Sequence, residues 1–211
     1  MNKDKAKFFD DQVDSPWAAP DYEGADLEKI DWLFEKAGIE KGTKVLEPGC
    51  GTGRLTELLA KAVGEEGSVA AMDISEEMVK KCRERVAGLE NVRAEHNSLE
   101  SMELKEKSFD LVLAFNFFPH LDDKQKALDI FNRGLKENGR LVIFHLQPSS
   151  FINDLHRKAG TAVAHDMIPS VSEIARMLEN AGFKMEEHRD DDRYFLMAEK
   201  ERETGAGKTG T

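Results

Sequence analysis

Three alternating glycines follow a short apolar segment in a pattern that suits a nucleotide-like ligand. The segment, VLEPGCGTG, runs from Val45 to Gly53, and a helical pattern opens at Arg54. Each glycine removes a Cβ from a tight turn, so backbone N–H groups can approach a ligand closely. Pro48 bars a helix from starting before the glycines. We therefore expect a buried strand that runs directly into a ligand-binding turn.

The spacing of the small residues separates two kinds of ligand. A dinucleotide fingerprint, G-x-G-x-x-G, places its third small residue where helix and strand pack closely and the pyrophosphate meets the helix N-terminus. Here Arg54 occupies that position. The pattern E-x-G-x-G-x-G, which begins at Glu47, instead resembles motif I of the class I S-adenosylmethionine (SAM) methyltransferases.

This resemblance implies SAM as the cofactor and S-adenosyl-L-homocysteine as its product. It places Glu47 near the positively charged methionine end of SAM. The backbone of the loop would wrap the cofactor through Gly49, Cys50, Gly51 and Gly53. SAM carries a sulfonium cation and no pyrophosphate, so an acidic residue and the lack of a phosphate cradle both suit it.

A second acidic residue ends the next apolar segment. The run SVAAMDIS predicts a strand that ends at Asp73. Asp73 follows the glycine loop at close to the roughly 20-residue spacing at which a carboxylate meets a ribose hydroxyl in nucleotide-binding βαβ units. The resemblance assigns Asp73 to the ribose hydroxyls of SAM and Ile74 to one face of the adenine.

The resemblance also predicts contacts after the third and fourth strands. The loop after the third strand normally supplies an acid to the adenine amino group, but here Asn97 and Ser98 stand there, followed by Leu99. Either polar side chain could still hydrogen-bond the adenine edge. Asn116, at the end of the fourth strand, is expected beside the sulfonium and the substrate. Ligands of open α/β sheets bind at the carboxyl ends of the strands, where the strand order reverses.

Four of the six histidines follow the fourth or fifth predicted strand, where the substrate must bind: His120, His145, His156 and His165. The first three are the candidate catalytic residues. Each has a structural alternative: His120 could cap a helix that begins near Asp122, and His145 could be a satisfied buried side chain. His156 and His165 lie in a long connection, 147–169, and connections of that length are often functional.

Three chemistries could use these histidines. In the first, one is the general base for a substrate oxygen or nitrogen, because an unperturbed pKa near ~6.5 suits proton removal at neutral pH. In the second, His145, His156 and His165, with Asp166, bind a divalent metal. Their spacing matches no recognised zinc motif, so we assign no metal. In the third, they line a pocket for a soft nucleophile such as a thiolate, or for a metalloid or corrinoid centre. The sequence does not separate the first from the third.

Strand and helix patterns alternate along the chain. Helices are predicted at 26–38, 54–62, 75–87, 124–135 and 171–180, and strands at 92–95, 109–115, 140–145, 184–188 and 194–198, besides the two strands before the acids. This alternation favours an α/β fold with a mostly parallel sheet and helices on both faces. The last two strands, joined by DDDR, predict an antiparallel hairpin. Such an arrangement resembles the Rossmann-like, seven-stranded methyltransferase fold.

We expect one domain over residues 1–200. Within it, residues 1–25 form an N-terminal arm or lid, and residues 146–170 form an insertion on the substrate side. The tail 201–211 contains no apolar residue able to anchor it, and we expect it to be disordered.

Composition and net charge argue against some classes of binding partner. The chain has 211 residues and a net charge of −11, with no adjacent run of basic residues longer than a pair. That argues against nucleic acid, because phosphate contacts need clustered Lys and Arg. The two cysteines suggest no disulfide scaffold, and no apolar stretch is long enough to cross a membrane. We expect a cytoplasmic monomer or homodimer without membrane insertion.

The sequence therefore predicts a SAM-dependent methyltransferase that acts on a small molecule by in-line displacement. It most resembles the group that includes the ubiquinone and menaquinone C-methyltransferases, with an acceptor pocket formed by 115–120 and 147–169. The fourth strand is followed by NFFP in place of an N-P-P-Y-type tetrapeptide, which argues against methylation of nucleic acid bases or protein glutamine. The alternatives are a SAM-binding or metal-binding protein without transferase activity and an NAD-dependent oxidoreductase, which Arg54 disfavours.

Overall fold

The structure is a computed structural model, and it describes residues 2–102, 104–159 and 162–202. The helices are α1 Lys3–Asp10, α2 Gly24–Ala37, α3 Arg54–Val63, α4 Glu76–Arg85, α5 Lys124–Gly134, α6 Ser149–Lys158 and α7 Val171–Asn180. The strands are β1 Lys44–Pro48, β2 Ser68–Asp73, β3 Val92–His96, β4 Phe109–Phe115, β5 Leu135–His145, β6 Phe183–Asp190 and β7 Tyr194–Lys200. A short 3₁₀ turn covers Phe118–His120. The predicted disordered tail lies outside the described residues from residue 203 onward.

The strands form one sheet in the order β3-β2-β1-β4-β5-β7-β6. Neighbours from β3 to β5 are parallel, whereas β7 is antiparallel to both β5 and β6. The predicted mostly parallel sheet and its C-terminal hairpin are therefore confirmed. The strand order reverses between β1 and β4, which is where ligands of such sheets bind.

Side-chain alternation along the central strands divides the core into two layers. On β4, Leu111 and Leu113 pack with the helices α2 and α3, whereas Val112 and Ala114 pack with α5 and α7 on the opposite face. All four side chains are buried. A strand that is buried on both faces needs apolar residues at successive positions. The sequence of β4 has them from Leu111 to Phe115.

Local signals fix several helix ends where the sequence predicted them. Gly38 ends α2 in a left-handed conformation with φ of 62°, and Ser75 caps α4 by accepting a hydrogen bond from the Met78 N–H. Such caps satisfy backbone groups that the helix leaves unpaired. None of the helices in the described ranges is both long and apolar enough to cross a membrane.

Strand β5 is longer than predicted, because it begins at Leu135 and not at Arg140. The polar run between these residues contains Asn138 at a φ of 59°, a conformation typical of turns. Leu135 nevertheless pairs with Phe109 before the register shifts and Arg140 pairs with Leu111. Pairing across a bulge is not visible in the local sequence.

Candidate active site

A cavity of about 1150 Å³ lies at the carboxyl ends of β1, β2, β4 and β5. Most of the predicted site residues line it: Glu47, Gly49, Cys50, Gly51, Asp73, Ile74, Ser98, Leu99, Asn116, His120, His145 and His156. Gly53 and Asn97 are not among the lining residues. The fold thus brings the glycine loop, both strand-end acids and three histidines to one cavity at the reversal of the sheet.

The glycine loop has a backbone that glycine alone adopts without strain. Gly49, Gly51 and Gly53 have φ values of 74°, 54° and 83°, in the left-handed region that side chains rarely enter. A Cβ on Gly49 would lie 2.3 Å from the Phe117 ring, and one on Gly53 would lie 2.8 Å from the Cα of Cys82. A Cβ on Gly51 would meet nothing within 4 Å. Gly51 therefore faces open space, and the other two are tightly packed.

The N–H groups of this loop are used within the protein, in contrast to the expectation that they approach a ligand. Those of Gly49 and Cys50 both donate to the carbonyl of Met72, at 2.7 and 3.0 Å. The Gly51 N–H donates to Asp73 Oδ2 at 2.9 Å. A phosphate-binding loop needs such groups free. The loop therefore suits a ligand without phosphate at this position.

Glu47 is a carboxyl group without a full set of partners. It is 2% exposed, and its Oε2 has no hydrogen-bond partner among the described residues. Burial raises the pKa of Glu47 well above its ordinary value. A buried carboxyl of this kind gains from a nearby cation, which stabilises the ionised form.

Asp73 links the glycine loop to the next helix. Its Oδ2 accepts from the Gly51 N–H and its Oδ1 from the Ser75 N–H, both at 2.9 Å. Burial raises the pKa of Asp73, although these hydrogen bonds act in the opposite direction. A carboxylate has about four lone-pair sites, so capacity remains for ligand hydroxyls.

The other predicted adenine contacts differ in position. Ile74, Ser98 and Leu99 line the cavity. Asn97 makes its hydrogen bonds to neighbouring parts of the protein. Its side-chain Oδ1 accepts from the Ser98 N–H at 2.9 Å, and its backbone N–H donates to the Asp73 carbonyl at 3.0 Å.

Asn116 marks the point where β4 leaves the sheet. Its φ is 50°, an uncommon value outside glycine. Its N–H donates to the Phe144 carbonyl at 2.8 Å, and its Oδ1 accepts from the Leu146 N–H at 3.4 Å. These bonds hold the ends of β4 and β5 together and place Asn116 at the wall of the cavity.

His120 and Asp166 form a hydrogen-bonded pair in the cavity wall. His120 Nδ1 lies 2.8 Å from Asp166 Oδ2. An ionised carboxylate can only accept, so Nδ1 carries the hydrogen and the lone pair of the neutral ring is on Nε2. No hydrogen bond to Nε2 occurs within the described residues. His120 is not the helix cap that its position allowed, because Asp123 caps α5.

The ionisation of this pair is set by burial and by charge. Burial lowers the pKa of His120, although the hydrogen bond that His120 donates to Asp166 acts in the opposite direction. Burial also disfavours the charged form of Asp166, but the hydrogen bonds from His120 and Lys5 outweigh it and hold the pKa of Asp166 below its ordinary value. The pair is therefore a neutral imidazole and a carboxylate at neutral pH, the state in which Nε2 can accept a proton.

His156 belongs to the same cluster. Its ring lies 4.8 Å from that of His120, measured between ring centroids. Its Nδ1 donates to the backbone carbonyl of Asp166, because a carbonyl can only accept. Asp166 thus orients both rings, one through its side chain and one through its backbone.

His145 has a different environment. It is 2% exposed, and its Nε2 has no hydrogen-bond partner in the part of the chain described. Burial lowers the pKa of His145 to about 3. It is therefore neutral and a poor base at neutral pH, and its unpaired nitrogen suits a hydrogen bond to a polar group in the cavity.

The four candidate metal ligands are not assembled in one place. His165 lines a separate depression with Lys124 and Glu173, whereas His145 and His156 line the main cavity. The described residues include no group of three or more His, Cys, Asp or Glu side chains that could hold a metal ion.

The N-terminal segment, residues 2–22, contributes contacts that sequence reasoning did not find. Arg54 donates to the carbonyls of Trp17 and Pro20 at 2.6 and 2.8 Å, and its guanidinium lies 4.2 Å from the centroid of the Tyr22 ring. Lys5 reaches Asp166 at 2.8 Å. Nothing local marks these pairs, because the partners are far apart in sequence. The sequence predicted an N-terminal arm or lid but gave no sign of which residues it would contact.

The sheet order and the glycine turn between two strand-end acids define a Rossmann-like enzyme of the SAM-binding class. A family model described as "Methyltransferase domain" matches residues 39–186, and the chain belongs to this methyltransferase family. It is a SAM-dependent methyltransferase, so the predicted class, fold and cofactor are confirmed.

Individual proteins similar to the chain include methyltransferases and a cyclase. The chain is 32% identical over 173 residues to a demethylmenaquinone methyltransferase of Staphylococcus aureus, a match that covers 72% of each chain. It resembles the solved structure of a SAM-dependent methyltransferase from Aquifex aeolicus, with a TM-score of 0.67, 24% identity, and 94% and 98% of the two chains covered. It also resembles the cyclase SpnF, with a TM-score of 0.69, 15% identity, and 87% and 85% covered. The fold alone therefore does not determine the acceptor.

Proposed function

We propose that this methyltransferase transfers the methyl group of SAM to a small aromatic hydroxyl compound, such as a quinol, whose proton His120 removes. The observation that carries the proposal is the pairing of His120 Nδ1 with Asp166, which leaves Nε2 unpaired in the cavity that Glu47 and Asp73 also line. A base for the acceptor and acids for the cofactor are then present in one cavity.

The residues of the loop and strand ends fit SAM. Glu47, with its unpaired oxygen, would stabilise the cationic methionine end, and Asp73 would accept from the ribose hydroxyls. Ile74 and Leu99 offer apolar surface to the adenine. SAM supplies a methyl group that is already activated by its sulfonium. The protein therefore has to align the acceptor, exclude water and remove a proton where the acceptor carries one.

His120 and Asp166 have separate tasks in this scheme. Nε2 of His120 accepts the proton, and Asp166 holds the ring in the tautomer that leaves Nε2 free. The carboxylate also stabilises the imidazolium that forms. This division of labour is the one seen in other His–Asp pairs, where the acid itself stays ionised.

Several features support an aromatic hydroxyl as the acceptor. Loss of a proton from a phenol or quinol spreads negative charge over the oxygen and the ring carbons, so either can become the nucleophile. The wall of the cavity offers Phe9, Phe115 and Phe117 for ring contacts, and the neutral His145 offers a hydrogen bond for a second oxygen. The name of the Staphylococcus aureus relative points to the same chemistry.

An apolar extension on the acceptor would also be accommodated. Trp17, Phe151 and Leu155 line the cavity, yet each is half exposed, at 52%, 52% and 50%. Exposed apolar side chains at a cavity mouth favour an apolar group that emerges from it.

The test is a transfer assay with methyl-labelled SAM against naphthoquinols, simple phenols, thiols and arsenite. We expect labelled product with an aromatic hydroxyl compound, and stronger turnover when that compound carries an alkyl chain. Transfer to thiols or arsenite alone would contradict the proposal and favour a soft nucleophile. The position of the label, read by mass spectrometry, distinguishes carbon from oxygen methylation.

A further inference from the structure

We propose that Lys5 is a positioning residue for methyl transfer: from the N-terminal segment that packs over the cavity, its ammonium group holds Asp166 and so completes the His120–Asp166 pair. This rests on the proposed role of His120 as the base.

Lys5 is a buried lysine whose ammonium group has three polar partners. Its side chain is 7% exposed, and its Nζ lies 2.8 Å from the His120 carbonyl, from Asp122 Oδ1 and from Asp166 Oδ1. Three acceptors satisfy the three N–H groups of an ammonium. Burying a lysine is unfavourable unless it is paired in this way, so the contact is specific.

Lys5 touches Asp166 and the backbone of His120 at the same time. Asp166 presents Oδ1 to Lys5 and Oδ2 to His120. The lysine therefore fixes the carboxylate orientation that in turn fixes the imidazole. It does so from α1, which shares no strand or loop with either partner.

Other contacts of the same segment extend across the cavity towards the glycine loop. Phe9 of α1 lies 5.1 Å from the His120 ring, edge to face. Asp10 accepts from Ser75 Oγ at 2.6 Å, beside Asp73. Thr52 donates to the Ala18 carbonyl at 2.6 Å. The segment thus packs over both the glycine loop and His120.

The charges that face this cluster determine what removal of Lys5 does. Asp122 and Asp166 are acidic, Lys124 lies on α5 behind them, and His156 faces His120 from α6. The positive charge of Lys5 disfavours a second positive charge on His120. Without Lys5 the pKa of His120 rises, so the unprotonated base persists only at higher pH.

The test compares Lys5→Met with Lys7→Met in the full-length protein. Lys7 lies on the same helix but is exposed and pairs with Asp11 of the same segment. With a naphthoquinol as the acceptor, Lys5→Met should lower kcat/KM by about tenfold, part of the roughly 10²–10⁴-fold that general base catalysis contributes. The acid limb of its pH profile should move to higher pH, Lys5→Arg should restore most of the rate, and Lys7→Met should match the wild type.

A wild-type rate for Lys5→Met, or a lower rate with an unmoved acid limb, would overturn the proposal. A second comparison adds Lys5→Met to Asp166→Asn, which also removes the unpaired buried charge if the single variant fails to fold. If Lys5 acts through Asp166, this addition should change the rate little. A full further loss of about tenfold there would also refute it.

Failure of the proposed function is distinguishable from failure of this inference. An active His120→Gln variant would remove the base itself from the scheme, whatever Lys5 does. An inactive His120→Gln variant with a normal Lys5→Met variant would leave the base in place and remove only the role of Lys5.

Discussion

In the proposed site, Glu47 would couple the positive charge of SAM to the release of a proton. Burial raises its pKa in the free protein, whereas a cation beside it favours the ionised form. We expect SAM binding to release a proton, so that affinity for SAM falls as the pH is lowered below the raised pKa. Calorimetry in two buffers of different ionisation enthalpy measures that release. The Glu47→Gln variant should show none, and equal release by both proteins would place the titrating group elsewhere.

Individual residues also differ in how far their place in the site could be predicted from the sequence. Glu47 and Asp73 were predicted because each ends an apolar run, and because their spacing from the glycines resembles that of the methyltransferase family. The pairing of His120 with Asp166 was not predicted, because the loop that carries Asp166 folds back over 46 residues of sequence. Asp166 was considered only as a metal ligand. Lys5 was missed altogether, since a lysine in a charged helix normally faces solvent.

At the scale of elements, Gly53 lies at the start of α3 and packs closely against α4. It has a positive φ of 83°, and an added Cβ would meet the backbone Cα of Cys82 at 2.8 Å. Gly88 also has a positive φ, 93°, but has nothing within 4 Å of an added Cβ. It therefore serves as a matched control for backbone strain without a clash.

We expect Gly88→Ala to lower the free energy of unfolding by about 1–2 kcal/mol, the cost of a left-handed alanine. Gly53→Ala should cost more, because a helix backbone must also move, and it should weaken SAM binding. Urea unfolding measures the free energy of unfolding of the two variants. Equal losses in the two variants would mean that α4 accommodates the methyl group freely.

The helices and strands themselves were largely predictable. Apolar periodicity and the caps at Gly38 and Ser75 fix their type and ends. The start of β5 was wrong by several residues, because its pairing with β4 passes through a bulge. The use of the glycine-loop N–H groups was also unexpected, since it depends on the carbonyl of Met72 on a neighbouring strand.

At the scale of the whole molecule, cofactor binding should stabilise the fold by mass action. SAM at 100 times its Kd adds about 2.7 kcal/mol to the free energy of unfolding. Asp73→Ala should weaken SAM binding by about 1–3 kcal/mol, through loss of charged hydrogen bonds to the ribose. Thermal unfolding with SAM, S-adenosyl-L-homocysteine and NAD measures this. Stabilisation by NAD alone, or an unchanged response in Asp73→Ala, would contradict the assigned cofactor site.

The topology explains why one cavity can hold both reactants. The strand order reverses between β1 and β4, so the loops after these strands diverge and leave a crevice. The residues proposed to bind SAM follow β1 and β2, and the histidines follow β4 and β5. This division was predictable from strand order. An N-terminal arm or lid was also predicted, but its individual contacts were not, because they are made with side chains from distant parts of the chain.

In the proposed function, His120 removes a proton from the acceptor during methyl transfer. The most direct measurement is single-turnover transfer from labelled SAM, at saturating SAM, in wild type, His120→Gln and His165→Gln. His165 is the matched control, because it lines a different depression. We predict that His120→Gln loses about 10²–10⁴-fold in rate, binds SAM normally, and no longer shows the acid limb of the wild-type profile. Wild-type transfer by His120→Gln with an intact acid limb would contradict the account.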